Sequence, residues 1–171
     1  VSTASVENYV RFQGIAQREG AESIMRGKQL ELDWNGNYVS PSIYRVASPN
    51  PESIYQKTEI FGPNVAIYTV DDFDEALKIT NQSSYGLVMS VFSQDKALYE
   101  QAVRRARVGL VNWNRATVGA SSKMPFGGMG KSGNDRASAH FAVYYCTVPV
   151  ASLEDPTPFD PTKVLPGMQF A

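Results

Sequence analysis

Four places in this chain carry side chains or loops able to do chemistry. Residues 125–135 read PFGGMGKSGND, where Gly128, Gly130 and Gly133 spell G-x-G-x-x-G around a Gly-Lys-Ser step. The backbone N–H groups of such a loop can cradle phosphate when its first glycine follows a strand and its last opens a helix. Here thirteen residues, 114–126, separate the preceding apolar run from Gly127, and Pro125 stands where a P-loop needs its first glycine. The spacing therefore favours a tight turn in which glycines let two backbones approach closely, with Phe126 as a buried anchor.

Cys146 and His140 are the only residues of their types, and a Cys–His pair can serve as nucleophile and base. Six positions apart across an expected helix end, they do not share a face, and core packing is the simpler role for Cys146. Asp71, Asp72, Asp74 and Glu75 crowd together as carboxylates do around a hard metal ion. Capping at a helix start explains them better. In EIFGP, residues 59–63, alternate side chains of an extended segment point the same way. Glu59 could then bond ribose hydroxyls while Phe61 packs on a flat ring, the alternative being an exposed Glu beside a core Phe.

The elements that must position these residues follow from the hydrophobic pattern. Val6, Tyr9, Val10, Phe12 and Ala16 recur at helical spacing over 6–19, with Gly20 as the stop. Short strands are expected at Ile24 and Met25 and over 38–46, divided by WNGN at 34–37, whose Asn-Gly step signals a hairpin or turn. Residues 48–51, with Pro49 and Pro51, read as a loop.

Beyond it, 64–70 is an apolar strand and 71–82 an amphipathic helix with capping-box spacing from Asp72 to Glu75. Phe73, Ala76, Leu77 and Thr80 share its inner face. A strand over 86–92, a helix from Ser93 with a Leu98, Tyr99, Ala102, Val103 and Ala106 stripe, and a strand over 108–113 complete the pattern. Arg104, Arg105 and Arg107 sit at that helix's C-terminal end, where cations suit the dipole. Strand, helix, strand, helix, strand predicts an α/β fold built on a parallel sheet of buried strands. Residues 137–145 have helical character, and 146–153 should be extended, limited to a sheet edge by Pro149. The last eighteen residues hold four of the ten prolines and should wrap a surface or stay disordered.

A chain of 171 residues with a hydrophobic fraction of 43% is one ordinary globular domain. Sixteen basic against seventeen acidic residues leave a net charge of -1, which argues against nucleic acid or an anionic membrane as partner. One cysteine excludes an intrachain disulfide and a Cys-rich zinc site, and suits the cytoplasm. The longest apolar stretches fall far short of the roughly 20 residues that cross a bilayer, so a soluble protein is expected. Val1 in place of an initiating Met, with Ser2 leading into a helix, reads as a piece of something longer.

Taken in order, EIFGP, Asn81 with YGL at 85–87, GLVNWN at 109–114 and PFGGMGKSG at 125–133 resemble the C-terminal half of the aldehyde dehydrogenase superfamily. The similarity runs over nearly the whole chain. GLVNWNRATVGASS, PFGG and SGNDRASAHFAVYYCTVPVASLE look most like the N-succinylglutamate 5-semialdehyde dehydrogenases of bacterial arginine degradation, with Ala116 where those enzymes commonly have proline.

The resemblance implies oxidation of a carboxylate-bearing semialdehyde with NAD, or NADP, as hydride acceptor. It implies that Glu59 binds the nicotinamide-side ribose, that Phe61 packs near the nicotinamide, and that Gly119, Ala120 and Ser121 anchor the substrate's polar end through backbone N–H groups. Phe126 would line the aldehyde tunnel and Arg115 would face the carboxylate. Residues 1–142 would be the later part of the catalytic domain, and 143–171 an oligomerisation strand with a proline-rich tail, pairing with another copy. The family's nucleophile, base, oxyanion Asn and dinucleotide-binding domain would lie upstream, leaving no catalytic residue here and this segment inactive alone. A glutamate semialdehyde dehydrogenase, or a binding and assembly module without activity, remains the alternative.

Overall fold

A computed structural model describes residues 2–133, 141–154, 156–157 and 160. Helix α1, Thr3–Arg18, starts where the Ser2 hydroxyl accepts the Ser5 N–H at 3.2 Å. Its Val6, Tyr9, Phe12 and Ala16 are buried, as their three- and four-residue spacing requires. It is followed by strands β1 (Glu22–Met25), β2 (Gln29–Leu30), β3 (Tyr38–Val39) and β4 (Ser42–Val46), the short helix α2 (Ile54–Lys57) and strand β5 (Asn64–Tyr68). Strand β4 is central, antiparallel to β1 and parallel to β5, with Ile43 opposite Val65 and Arg45 opposite Ile67. Phe12 and Ala16 of α1 pack with Tyr44, Val46 and Tyr55 in the first core.

That core is threaded by hydrogen bonds. The side chain of Gln13 is fully buried, donates to the Tyr9 carbonyl at 3.2 Å and accepts from the Gly27 N–H at 3.1 Å and the Tyr44 hydroxyl at 3.0 Å. Burial without these partners would cost several kcal/mol, roughly 1–3 for each group left unpaired.

The second unit holds α3 (Phe73–Gln82), β6 (Tyr85–Gly86), β7 (Val88–Val91), α4 (Lys96–Arg105) and β8 (Leu110–Trp113). Strands β7 and β8 pair in parallel from Val88 with Leu110 to Val91 with Trp113. Leu77, Val91 and Ala102 form its core, with Phe73, Met89, Leu98, Tyr99 and Val111 packed around them. Asp72 caps α3 by accepting the Glu75 N–H at 2.8 Å, while the Glu75 carboxylate takes the N–H of Asp71 at 2.9 Å. Helix α4 ends with Arg104 and Arg105 in its last turn, and Asn81 then bridges the turn into β8, bonding the Arg105 carbonyl at 2.9 Å and the Arg107 N–H at 2.7 Å.

Several expectations need correction. The three long apolar strands do not form one sheet: among the described residues β5 pairs with β4, and β7 with β8. Hydrophobic pattern marks a strand but does not name its neighbour, and nothing in the run 38–46 declared β4 the parallel partner. Strand β5 is also not buried on both faces, since Ala66 and Tyr68 meet the first core while Val65 and Ile67 are 54% and 41% exposed. The run 86–92 divides at Leu87, where β6 turns to pair antiparallel with β9 (Met129–Gly130).

The Asn-Gly step lies within the loop of the β2–β3 hairpin and is not itself a two-residue turn. Residues 48–51 form the expected loop, and helix α2 follows it at 54–57, where the pattern predicted no element. Cys146, expected in a core, is exposed at the end of α5 (Ala142–Cys146). Residues 147–154 form no strand ladder among the described residues. His140 and most of the proline-rich tail lie outside the described residues. Among the described residues no helix is long and apolar enough to cross a membrane.

Candidate functional site

Strand β8 builds one wall of a cavity of about 220 Å³. Leu110 and Asn112, two residues apart on β8, face it, because alternate residues of a strand share a side. The chain then turns at Asn114, whose φ of 49 is held by its side chain: Oδ1 accepts the Ser93 N–H and Nδ2 donates to the Ser93 carbonyl, both at 2.9 Å. Asn112 Nδ2 reaches the Ala116 carbonyl at 2.9 Å, and the Ser90 hydroxyl donates to the Arg115 carbonyl. These bonds fold the loop back so that Arg115, Gly119, Ala120, Ser121, Met124, Pro125 and Phe126 complete the lining.

All four residues expected to bind substrate, Gly119, Ala120, Ser121 and Phe126, therefore share one cavity with Arg115. The Ser121 hydroxyl accepts the Lys123 N–H at 3.2 Å, and the Ser121 carbonyl accepts the Met124 N–H at 3.2 Å. Among the described residues no acceptor meets the N–H groups of Gly119, Ala120 or Ser121. Those donors and the Arg115 guanidinium suit a carboxylate, while Leu110, Met124 and Phe126 suit an alkyl chain. Phe126 is not the buried anchor expected from its setting; it is 36% exposed and forms cavity wall. Leu110, Asn112, Met124 and Pro125 were missed, although the period-two pattern of β8 was signal enough for the first two.

The glycine loop explains where Phe126 comes from. A Cβ on Gly109, at the entry to β8, would lie 1.6 Å from the Gly127 carbonyl oxygen, so only glycine permits the approach. Gly130 has φ +58, and a Cβ there would lie 2.3 Å from the Ser84 carbonyl oxygen. The loop's donors are already committed: Gly128 to Ser132, Lys131 to Ser84, Ser132 to Met129 and Gly133 to Gly130, at 2.8–3.2 Å. The Lys131 ammonium lies 5.6 Å from the centre of the Tyr85 ring. Phosphate would find no free cradle among these groups, and the loop serves to clamp the segment carrying Phe126 against β8.

Glu59 and Phe61 are both exposed, Phe61 at 84%, while Ile60 between them packs on the first core. Both are thus solvent-accessible, on either side of Ile60, with a tight turn at Phe61 closed by the Gly62 N–H on the Ile60 carbonyl at 2.7 Å. Glu59 lines a second cavity of about 540 Å³ between the two units, with Lys57, Tyr68, Tyr85 and Ser132 among its neighbours. Phe61 does not line that cavity, and neither residue lines the one at Arg115.

The segment holding them hangs from α2, whose N-terminus is capped from a distance. Glu19 Oε1 accepts the Ile54 N–H at 2.9 Å, and Oε2 accepts the Tyr55 N–H at 3.0 Å together with the Ser53 hydroxyl. Partial burial works upward on the Glu19 pKa, but these hydrogen bonds and the Lys57 charge outweigh it and hold the carboxyl below its ordinary range. Burial raises the pKa of Tyr55, whose hydroxyl donates to Asn64 Oδ1 at 3.2 Å.

The aldehyde dehydrogenase family model matches residues 1–149, most of the chain and every element just described. The chain belongs to the aldehyde dehydrogenase family. It is 44% identical over 170 residues to an N-succinylglutamate 5-semialdehyde dehydrogenase of Acinetobacter baylyi, covering 98% of this chain and 33% of the relative. The chain thus spans about a third of the length of the curated relatives it matches.

Two solved aldehyde dehydrogenase structures share the fold. An indole-3-acetaldehyde dehydrogenase of P. syringae in complex with NAD+ is 30% identical, with a TM-score of 0.75 over 82% of this chain and 28% of that one. A 1-pyrroline-5-carboxylate dehydrogenase from Thermus with bound NAD is also 30% identical, with a TM-score of 0.71 over 81% of this chain and 26% of that one.

Proposed function

We propose that the protein containing this chain oxidises N-succinylglutamate 5-semialdehyde to N-succinylglutamate with NAD or NADP. The observation that carries this reading is the cavity where Arg115 and the unpaired N–H groups of residues 119–121 meet the apolar side chains of Leu110, Met124 and Phe126. A semialdehyde with a carboxylate at its far end matches both halves of that lining. The relative's name supports the same substrate.

When bound, the nicotinamide accepts a hydride from the substrate. Glu59 would hold its ribose and Phe61 would pack near the ring; both side chains are exposed on the same short segment, which supports that reading. Arg115 and the loop N–H groups bind the carboxylate and so orient the aldehyde, while Phe126 excludes water from the alkyl chain. Cys146, exposed at the end of α5, does not line that cavity. The nucleophilic cysteine, the base and the oxyanion asparagine fall to residues N-terminal to this chain, so residues 1–171 alone would show no turnover. Residues 1–142 belong to the catalytic domain, and 143–171 pair with another copy of a cytoplasmic enzyme; exposed Val148, Val150 and Leu153 support that pairing.

The full-length protein, given N-succinylglutamate 5-semialdehyde and NAD, should form NADH. Arg115→Ala should raise KM for this aldehyde about tenfold, the value of a charge-assisted hydrogen bond, and leave KM for an uncharged aldehyde unchanged. Failure to reduce NAD with this substrate would sink the reading, and preference for glutamate 5-semialdehyde would move it to that substrate. Loss of the residues after Tyr145 should lower the oligomer's mass in solution, and an unchanged mass would remove the pairing role.

A further inference from the structure

We infer that Glu19 is a positioning residue for the segment carrying Glu59 and Phe61, acting through α2. The inference rests on the cofactor-facing role proposed above for those two residues. Glu19 lies just beyond α1, yet its two carboxylate oxygens serve three donors 34 to 36 residues further on: the Ser53 hydroxyl and the N–H groups of Ile54 and Tyr55. The Ser53 hydroxyl in turn accepts the Gln56 N–H at 3.0 Å. Helix α2 is a single turn of four residues, too short to persist without such outside support. Its C-cap, Thr58, is bonded directly to Glu59.

The other end of the segment is also held. The Pro63 carbonyl accepts the Ser42 N–H at 2.9 Å and the Tyr9 hydroxyl at 3.3 Å, and Asn64 Oδ1 accepts the Ser42 hydroxyl at 2.9 Å. Tyr55 joins the two ends, with its N–H on Glu19 and its hydroxyl on Asn64. Between them, Glu59 and Phe61 are exposed, and the backbone bonds nearby are local ones, Gly62 to Ile60 and Asn64 to Gly62. The ends, together with Ile60 packed on the first core between them, decide where the two side chains stand. Pro63 and Asn64 are tied to the core of the sheet, and α2 is tied to it through the buried Tyr55 and, at its N-terminus, through the exposed Glu19 carboxylate. Glu19 is the polar tie that joins the N-terminus of α2 to the end of α1.

The test uses the full-length protein with Glu19→Gln and, as a milder change, Ser53→Ala. An amide at position 19 offers one acceptor oxygen and turns its own N–H groups toward backbone donors. Two readouts separate positioning from simple stability: the dissociation constant for NAD by titration, and hydrogen exchange over residues 54–62 without NAD. Glu19→Gln should weaken NAD about five- to tenfold and speed exchange across 54–62, with aldehyde KM within about twofold of the parent; Ser53→Ala should act about two- to threefold in the same direction.

Faster exchange with NAD affinity unchanged would overturn the inference, leaving Glu19 as a helix cap only. An equal rise in aldehyde KM would overturn it too, as a general loosening. If Glu19→Gln does not fold, Ser53→Ala decides by the same criteria. Glu59→Gln is the control on the underlying reading: unchanged NAD affinity there removes the cofactor role of the segment, a failure distinct from one seen only at Glu19.

Discussion

The β4–β5 pair and the β7–β8 pair are both parallel and both rest on helices, but they are held by different forces. Around β4–β5 the core mixes Phe12, Ala16 and Val46 with Gln13, Ser42 and the hydroxyls of Tyr9 and Tyr44, each bonded to a group distant in sequence. Around β7–β8 the buried residues are Leu77, Val91 and Ala102, and the long-range hydrogen bonds, such as those of Asn81 to Arg105 and Arg107 and of Asn114 to Ser93, lie at the exposed ends of its elements. The first arrangement fixes direction as well as distance, because a buried donor must find its own acceptor. It suits a unit that presents two exposed side chains from an extended segment. The second has a non-directional buried core and keeps its directional bonds at the exposed ends of its strands and helices.

The contrast can be broken by experiment on the full-length protein. Leu77→Ala should have the largest effect, a loss of about 2–5 kcal/mol from transfer and cavity terms, with hydrogen exchange rising in α3, α4, β7 and β8 and unchanged in α1 and β4. An equal rise in both regions would mean that the two units open together. Gln13→Leu should cost about 1–3 kcal/mol, because the Gly27 N–H and the Tyr44 hydroxyl lose their acceptor, and exchange at Gly27 should rise. A neutral result would show that packing, not the polar network, holds the first unit.

Acidification should sharpen the same distinction. The folded-state pKa of Glu19 is depressed, so its contribution is complete above the ordinary carboxylate pKa and lost as pH falls through the lower folded value. Exchange over 54–57 should therefore rise in acid before exchange over β7 does, and simultaneous loss would remove Glu19 as the local control. The smallest effect belongs to Asp74→Ala. Its pairing with Arg105 is exposed, and the change in stability should stay within about 0.5 kcal/mol by denaturant titration.

Local elements were legible in the residues. Helices α1, α3 and α4, with their stripes and with Asp72 and Glu75 at the start of α3, follow from a 3.6-residue period and from caps a few positions away. Alternation accounts for the joint exposure of Glu59 and Phe61 around Ile60, but not for Glu59 lying at the larger cavity and Phe61 outside it. Helix α2 was missed although Ser53 and Gln56 carry a local capping signal; what no local pattern reveals is the Glu19 carboxylate reaching the same N-terminus from 34 to 36 residues away. The union of Arg115, residues 119–121 and Phe126 was anticipated through family resemblance, and the part of Asn112 and Leu110 in it was not.

The glycines at 127, 128, 130 and 133 show the limit most directly. Their spacing permits either a phosphate cradle or a close backbone crossing, since both need the same freedom from a Cβ. What separates the two is where the N–H groups point, and here they bond Ser132, Ser84, Met129 and Gly130. Residue types and periodicity were enough to establish the α/β class, most helix boundaries and the family, because each depends on interactions within a few residues or on motifs in order. Strand partners, the capping of α2 and the contents of the two cavities depend on contacts between distant segments. Those form only when burial brings the segments together, and only the folded chain decides them.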